Sequence, residues 1–223
     1  MGTVRIVHFS DMLCVWAYAA ERRMVELREE LGDAVEIDYR FVSIFGRATQ
    51  KLEERWRDKG GIASYGEHVR GIAASFGHLE LHPDVWSRVM PTSSWPAHLA
   101  VCAVRVLEQE GAAKPGSSEA LAQRLRRAFF SEARDISHQE VLLAVVEELG
   151  LDAQAVAQKL MTGRAHAELA SDHEQAQNQD IRISPTILLN EGRQRLSGNV
   201  GYRVIVANVR EVLEKRVGQF SWC

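Results

Sequence analysis

The stretch SDMLCVWAYAAERRM, residues 10–24, joins an extended apolar segment to a helical one. Residues 4–9 before it are mostly apolar and predict a short strand; after it, apolar residues at helical spacing continue to Gly32, which is placed to end a helix. Cys14 lies at the junction. Ala17 stands three residues later, where a redox pair would have its second cysteine. The stretch therefore raises the question of whether Cys14 is a working thiol or a small buried residue that begins a helix.

The rest of the chain predicts strands on either side of a long helical block. Residues 34–45 alternate apolar and polar side chains, which predicts a second strand parallel to the first. Residues 48–163 carry helical periodicity and little strand character. A helix over 165–179 then precedes two strands in a hairpin around 190–192, and a final amphipathic helix covers 201–216. We therefore predict an α/β fold with a large all-helical insertion.

Two local patterns predict helix caps. Ser137 and Glu140 have the spacing of a capping box, which predicts that a helix begins there. Ser10 and Asp11, just before the helix that follows Cys14, are most simply interpreted as the capping residues of that helix. Both interpretations assign these polar side chains to free backbone N–H groups at helix N-termini.

Composition limits the classes of partner. The 223 residues can bury a substantial core, and 46% hydrophobic with 26% charged residues is ordinary for a soluble globular protein. A net charge of −3, with only a short basic run at residues 124–130, does not favour nucleic-acid binding. No apolar run approaches the roughly 18 residues that span a bilayer, so we expect no membrane partner.

Cellular location is predicted from the N-terminus and the cysteines. The N-terminal residues lack the charged leader and apolar core of a signal peptide. Three scattered cysteines, Cys14, Cys102 and Cys223, are too few for a disulfide framework. We therefore expect a reduced, cytoplasmic protein.

The motif at Cys14 and the order of elements resemble the cytoplasmic branch of the DsbA-like family. Its first motif commonly reads Asp-x-x-Cys-Pro-Trp-Cys-Tyr, and this chain reads DMLCVWAY, with Val15 for the proline and Ala17 for the second cysteine. PTSSWPAHLAVCAVRVLEQEG is similar to a family helix that carries a histidine, here His98. ISPTILLNEGRQRLSGNVGY is similar to the family's cis-proline strand, hairpin and entry to the last helix. The resemblance covers about residues 4–216.

The resemblance implies a thioredoxin-like fold with a helical insertion. Residues 1–47 and 164–217 would form a discontinuous thioredoxin-like domain, 48–163 the insertion and 218–223 a C-terminal tail. Kappa-class glutathione transferases and 2-hydroxychromene-2-carboxylate isomerases share this architecture but carry a serine at the position of Cys14. The cysteine therefore makes the DsbA-like branch the closer one.

The resemblance also implies which residues form the site. Cys14 would be the nucleophile, and Pro185 a cis-proline that exposes the main chain of Ser184 to a substrate or to glutathione. Ala17 would be a vestigial resolving position. Trp16 would form an apolar lip for substrate, although plain packing explains it equally well.

The position of Cys14 at a helix N-terminus predicts a reactive thiol. Free N–H groups and the positive end of the helix dipole favour the thiolate, and in redox motifs of this kind the pKa falls from about 8.5 to roughly 3.5–7.5. Burial beneath Leu13, Val15 and Trp16 would raise the pKa instead. We expect the first effect to be the larger.

These residues lead to a functional prediction with two alternatives. Without a second cysteine at Ala17, a mixed disulfide on Cys14 cannot be resolved within the motif. We predict a DsbA-like thiol–disulfide oxidoreductase that acts through Cys14, with glutathione as the resolving thiol and cosubstrate and with no metal or tightly bound cofactor. The alternatives are a glutathione-dependent isomerase or transferase and a non-enzymatic thioredoxin-fold binding protein. The expected partners are glutathione or a thiol or disulfide substrate, and a homodimer is possible.

For the other cysteines and for two histidines, the sequence predicts only a general location or role. Cys102, on the apolar face of a helix, is expected in the core, and Cys223 could resolve a mixed disulfide or react at the surface. His8 is expected in the core or a loop. His98 could either line the active site or pack in the core.

Overall fold

A mixed four-stranded sheet, in the order β2-β1-β3-β4, forms the centre of the molecule in the computed structural model, which describes residues 3–214. The strands are β1 (Val4–Ser10), β2 (Val35–Phe41), β3 (Thr186–Leu189) and β4 (Gln194–Ser197). β1 pairs in parallel with β2, while β3 pairs antiparallel with both β1 and β4. The predicted α/β fold is confirmed.

Two helices cover one face of the sheet. Helix α1 (Val15–Leu31) connects β1 to β2, and α9 (Tyr202–Glu214) follows β4. Their apolar residues pack on alternate residues of the strands, and this cluster contains Val4, Ile6, Met24, Leu27, Val35, Ile187, Leu189, Ile205 and Val209. At the end of α1, Gly32 adopts a φ of +51° and donates its N–H to the carbonyl of Arg28. A glycine tolerates this conformation without strain, so the helix ends where the sequence predicts.

The helical block follows β2. Its helices are α2 (Ala48–Trp56), α3 (Gly61–Ala74), α4 (Trp95–Gln109), α5 (Ser117–Phe130), α6 (Gln139–Glu148), α7 (Ala153–Met161) and α8 (Arg164–Asn178). α4 packs against α5, α7 and α8, and α8 also packs on β2. Within residues 3–214, no helix combines the length and apolar composition that crossing a membrane requires.

One large core joins this block to the segment around Cys14. Met12, Leu13 and Cys14 belong to the same buried cluster as Phe129 and Phe130 of α5. The start of α1 is therefore packed beneath the helical block. The site is built where the sheet and the block meet.

A buried ion cluster fixes β2 to the helical block. Asp172 of α8 is fully buried and accepts hydrogen bonds from Arg40 of β2, Arg105 of α4 and the main-chain N–H of Phe41. A carboxylate can be buried when charged partners and N–H donors surround it in this way. The cluster holds the end of β2, and therefore the loop that follows it, in a defined position.

The predicted capping box is wrong. α6 begins at Gln139, with His138 as the N-cap residue and no side-chain cap. The hydroxyl of Ser137 donates instead to Asp135, at 2.6 Å, and the same carboxylate oxygen accepts the N–H of Ser137 at 2.9 Å. The Ser137 side chain therefore binds the carboxylate of Asp135 instead of capping the helix.

Candidate functional site

Cys14 occupies the N-cap position of α1 and contacts the loop that leads into β3. Its thiol donates to the main-chain oxygen of Ser184, with Sγ and O 3.3 Å apart. The Ser184–Pro185 peptide bond is cis. The hydroxyl of Ser184 accepts the N–H of Asp11 at 2.9 Å. Two hydrogen bonds therefore hold the loop before α1 against the loop before β3.

Asp11 connects three segments around the thiol. Its fully buried carboxylate accepts the N–H of Leu13, the N–H groups of Ile44 and Phe45, and the hydroxyl of Ser94, all within 2.8–2.9 Å. Burial raises the pKa of Asp11, and these donated hydrogen bonds oppose the rise. The carboxylate thus fixes the Cys14 loop, the loop after β2 and the turn before α4 relative to one another.

The capping interpretation of Ser10 and Asp11 is wrong. The helix that follows them has Cys14 as its N-cap, with no side-chain cap hydrogen bond. The hydroxyl of Ser10 accepts from the guanidinium of Arg126 at 2.8 Å. Both side chains are used in long-range contacts, which a local pattern does not encode.

His98 binds the backbone of the segment that precedes Cys14. Its Nε2 accepts the N–H of Met12 at 3.1 Å, and its ring stacks on Phe41 with the ring centroids 4.3 Å apart. Burial lowers the pKa of His98 well below its ordinary value. His98 is therefore a neutral, fully buried residue that positions the backbone before Cys14. Of the two interpretations left open for it, packing in the core is the one that the structure shows.

The thiol of Cys14 is buried, with 6% of the residue exposed. Burial raises its pKa; hydrogen bonds from the Ser184 side chain and from the N–H groups of Ala17 and Trp16 lower it, and the charge of Asp11 raises it further. The net pKa lies above that of a free thiol, because desolvation is the largest of these effects. The expected depressed pKa is therefore wrong in direction, and Cys14 is a neutral thiol at pH 7.

A cavity of about 280 Å³ opens beside Cys14. Trp16 and Ser184 line it together with Cys14, so three residues named from the sequence meet at one place. Ala17 and Pro185 are both buried, and neither lines the cavity. The side chain of Trp16 both borders the cavity and packs edge-to-face on Phe76, with the centroids 6.1 Å apart.

The remaining wall of this cavity comes from residues that the sequence does not single out. Ile44 and Phe45 follow β2, Tyr65 and His68 belong to α3, and Arg182 precedes β3. The wall is largely apolar, and Tyr65, His68 and Arg182 add polar groups to it. No local signal identifies these residues: Tyr65 and His68 reach Cys14 through the docking of the helical block, and Ile44 and Phe45 are held there by hydrogen bonds to Asp11.

Of the two other cysteines, Cys102 alone lies within the described residues, and it does not line this cavity. Cys102 is fully buried in α4, as predicted for a core residue, and burial raises its pKa. The prediction for Cys223 falls outside the described residues. Within residues 3–214 there is no group of three or more His, Cys, Asp or Glu side chains arranged to hold a metal ion.

Comparisons with known proteins agree with this architecture. The model of the DSBA-like thioredoxin domain family matches residues 5–209. Among curated proteins, the ClpXP adapter protein SpxH of Halalkalibacterium halodurans is 25% identical over 217 residues, covering 94% of this chain and 68% of that protein.

Two solved structures illustrate the likeness of fold. A probable DsbA oxidoreductase from Streptomyces coelicolor has a TM-score of 0.75 and 21% identity, covering 98% of this chain and 93% of that one. The cytosolic disulfide reductase DsbM from Pseudomonas aeruginosa has a TM-score of 0.68 and 21% identity, covering 93% of this chain and 99% of that one. DsbM has also been solved with GSH. At these identities the likeness shows a common fold.

Proposed function

Because the chain belongs to the DSBA-like thioredoxin domain family, we propose that it is a thiol–disulfide oxidoreductase that acts through the single thiol of Cys14. The main supporting observation is the placement of this thiol, which lies at the N-terminus of α1, 3.3 Å from the main-chain oxygen of Ser184, and borders a cavity. A disulfide in the cavity would meet the thiol on one side and the Ser184 main chain on the other. Ser184 and Pro185 are the substrate-pairing element, and Trp16 contacts the substrate.

The reaction proceeds by two thiol–disulfide exchanges. The Cys14 thiolate attacks one sulfur of a disulfide, forms a mixed disulfide and releases the other half as a thiolate, which takes up a proton. A glutathione thiolate then attacks the sulfur of the retained substrate half, which frees Cys14 and forms the mixed disulfide of that half with glutathione. The net reaction consumes one disulfide and one thiol and yields one of each. With Ala17 at the usual resolving position, an external thiol has to supply the second step.

The proposed resolving thiol is glutathione, and the proposed location of the protein is the cytoplasm. They are supported by the likeness to DsbM, a cytosolic disulfide reductase that has been solved with GSH. The raised pKa of Cys14 requires that the thiol lose its proton before it attacks, so the first step is slow at neutral pH.

Mass spectrometry tests this function directly. We expect oxidised glutathione to add one glutathione to Cys14 at alkaline pH, and reduced glutathione to remove it. Peptide mapping locates the adduct, Cys14→Ser serves as the negative variant, and Cys102→Ser should keep the adduct. Failure of Cys14 to form an adduct at any pH at which the protein stays folded would contradict the proposal.

A non-enzymatic binding protein is the second candidate. It is favoured by the buried, neutral state of the Cys14 thiol and by the likeness to a protein named as an adapter. This candidate predicts that Cys14→Ser changes neither the fold nor binding to a partner, and that oxidised glutathione leaves Cys14 unmodified. Glutathione binding without disulfide exchange would instead support the isomerase or transferase alternative.

A further inference from the structure

A second, larger cavity lies next to the one at Cys14. It has a volume of about 570 Å³ and is formed by the loop after β2, the first turns of α2 and the N-terminus of α4. Ile44 lines both cavities. The ammonium group of Lys51 in the second cavity lies 4.9 Å from the ring centroid of Phe45, which lines the first. The two cavities therefore share a wall and form neighbouring parts of one surface.

The second cavity has a fixed aromatic surface. Trp95 is 43% exposed, yet its indole N–H donates to the hydroxyl of Ser43 at 2.8 Å and its ring lies 5.1 Å from that of His173. A Cβ atom at Gly46 would lie 2.6 Å from the indole nitrogen and 2.2 Å from the Ser43 hydroxyl. Only glycine permits this close approach. The exposed ring is therefore held in one position, as an aromatic platform for a ligand would be.

The same cavity carries an excess of positive charge. Arg47 donates to the side-chain oxygen of Gln50, and Lys51 donates to the main-chain oxygen of Ile44 at 2.5 Å. Neither side chain forms an ion pair with any residue in the range 3–214. Glu54 contributes the carboxylate that lines this cavity. Two cations facing one carboxylate favour an anionic ligand.

We propose that this second cavity is a substrate subsite, which binds the part of a disulfide beyond its reacting sulfur and selects disulfides that carry a carboxylate next to a flat or apolar group. Arg47 and Lys51 bind the carboxylate, and Trp95 stacks on the flat group. In this proposal one molecule extends across Ile44 into both cavities, with its sulfur at Cys14. This inference rests on the proposed disulfide exchange at Cys14 and adds the class of substrate.

Two aromatic disulfides that differ in charge provide the test. 5,5′-Dithiobis(2-nitrobenzoate) carries a carboxylate on each ring, whereas 4,4′-dithiodipyridine is neutral above mildly acidic pH. Second-order rate constants are measured with both probes at one pH, in a Cys102→Ser, Cys223→Ser background in which Cys14 is the remaining cysteine. A substitution that changes the reactivity of the Cys14 thiol itself changes both rate constants by a similar factor. The ratio of the two rate constants therefore reports on the recognition of the probe.

The subsite predicts a specific pattern among variants. Arg47→Gln and Lys51→Gln should each lower the rate with the anionic probe by roughly three- to fivefold and with the neutral probe by less than about 1.5-fold, as expected for exposed and partly exposed charges. Arg57→Gln removes the same charge from an exposed position outside the cavity and should leave the ratio unchanged. Trp95→Leu should slow both probes, and Trp95→Phe should restore most of the loss.

The outcomes separate this inference from the function on which it rests. If both probes modify Cys14 but Arg47→Gln and Lys51→Gln leave the ratio as it is, the subsite is wrong and disulfide exchange stands. If neither probe modifies Cys14 at any pH at which the protein is folded, the proposed function fails as well.

Discussion

At the scale of single residues, the Cys14 thiol is subject to two opposed effects. The N–H groups of Ala17 and Trp16 and the side chain of Ser184 stabilise a thiolate, as a helix N-terminus is expected to do. Burial destabilises the thiolate and is the larger effect. Reactivity at this site is therefore limited by the loss of a proton.

The pH dependence of alkylation tests this balance. Since the pKa of Cys14 is raised, the thiolate fraction should grow about tenfold for each pH unit up to and beyond pH 8.5, the pKa of an ordinary thiol. We expect the rate with iodoacetamide, measured in the Cys102→Ser, Cys223→Ser background, to rise in parallel. A small thiol such as free cysteine is the reference, and its rate should level off at lower pH. A plateau for Cys14 below pH 8 would show that the helix N-terminus has the larger effect after all.

At the scale of elements, Asp11 determines how three segments meet at the site. The segments are the loop before α1, the loop after β2 and the turn before α4, and each donates to the same carboxylate. The loop after β2 also supplies Ile44 and Phe45 to the cavity wall. The shape of the cavity therefore depends on a residue that does not line it.

Removal of this carboxylate should be costly. Asp11→Ala leaves two buried backbone N–H groups, the partly buried N–H of Ile44 and the Ser94 hydroxyl without their acceptor, so we expect unfolding in urea to require about 3 kcal/mol less free energy. Asp33→Ala, at an exposed position after α1, is the matched control and should change stability by less than about 0.5 kcal/mol. Equal stability of the two variants would mean that water replaces the carboxylate.

The same scale explains what the sequence could predict. Periodicity located the strands and helices, and Gly32 the end of α1, because these signals are local. The motif and the resemblance predicted a site that contains Cys14, Trp16 and Ser184, and these three residues line one cavity. The roles of Asp11 and of the far wall at Tyr65 and His68 could not be predicted. They depend on contacts between segments more than 30 residues apart, such as the one from Ile44 to Asp11.

At the scale of the whole molecule, buried ionisable groups lie between the sheet and α5. Strand alternation places His8 and Ser10 on the same face of β1, beneath Arg126 of α5, which also pairs with Glu21 of α1 at 2.6 Å. Neither ring nitrogen of His8 has a hydrogen-bond partner among the described residues. Burial, and then the charge of Arg126, lower the pKa of His8 to about 3, whereas burial raises that of Glu21 to about 7.

These two shifts act on stability with opposite signs. His8 has a lower pKa in the folded state than in the unfolded state, so its contribution is complete above pH 6.5 and is lost as the pH falls toward 3. Glu21 has a higher pKa when folded, so stability falls as the pH rises from 4.5 to 7. In the native protein these two effects on the unfolding free energy partly cancel. A plot of the unfolding free energy against pH for the native protein alone therefore shows neither of them separately.

Comparison of variants across pH separates the two effects. Between pH 7 and pH 5, the native protein should lose about 2 kcal/mol of unfolding free energy relative to His8→Leu, because only the native chain has to keep a histidine neutral below its ordinary pKa. Urea unfolding at several pH values measures this difference. His166→Leu, at an exposed position on α8, controls for the replacement of a histidine by leucine outside the core and should give a curve parallel to the native one. If the His8→Leu curve is also parallel, His8 is not held neutral by its buried position, and acid instability has to arise elsewhere in the molecule.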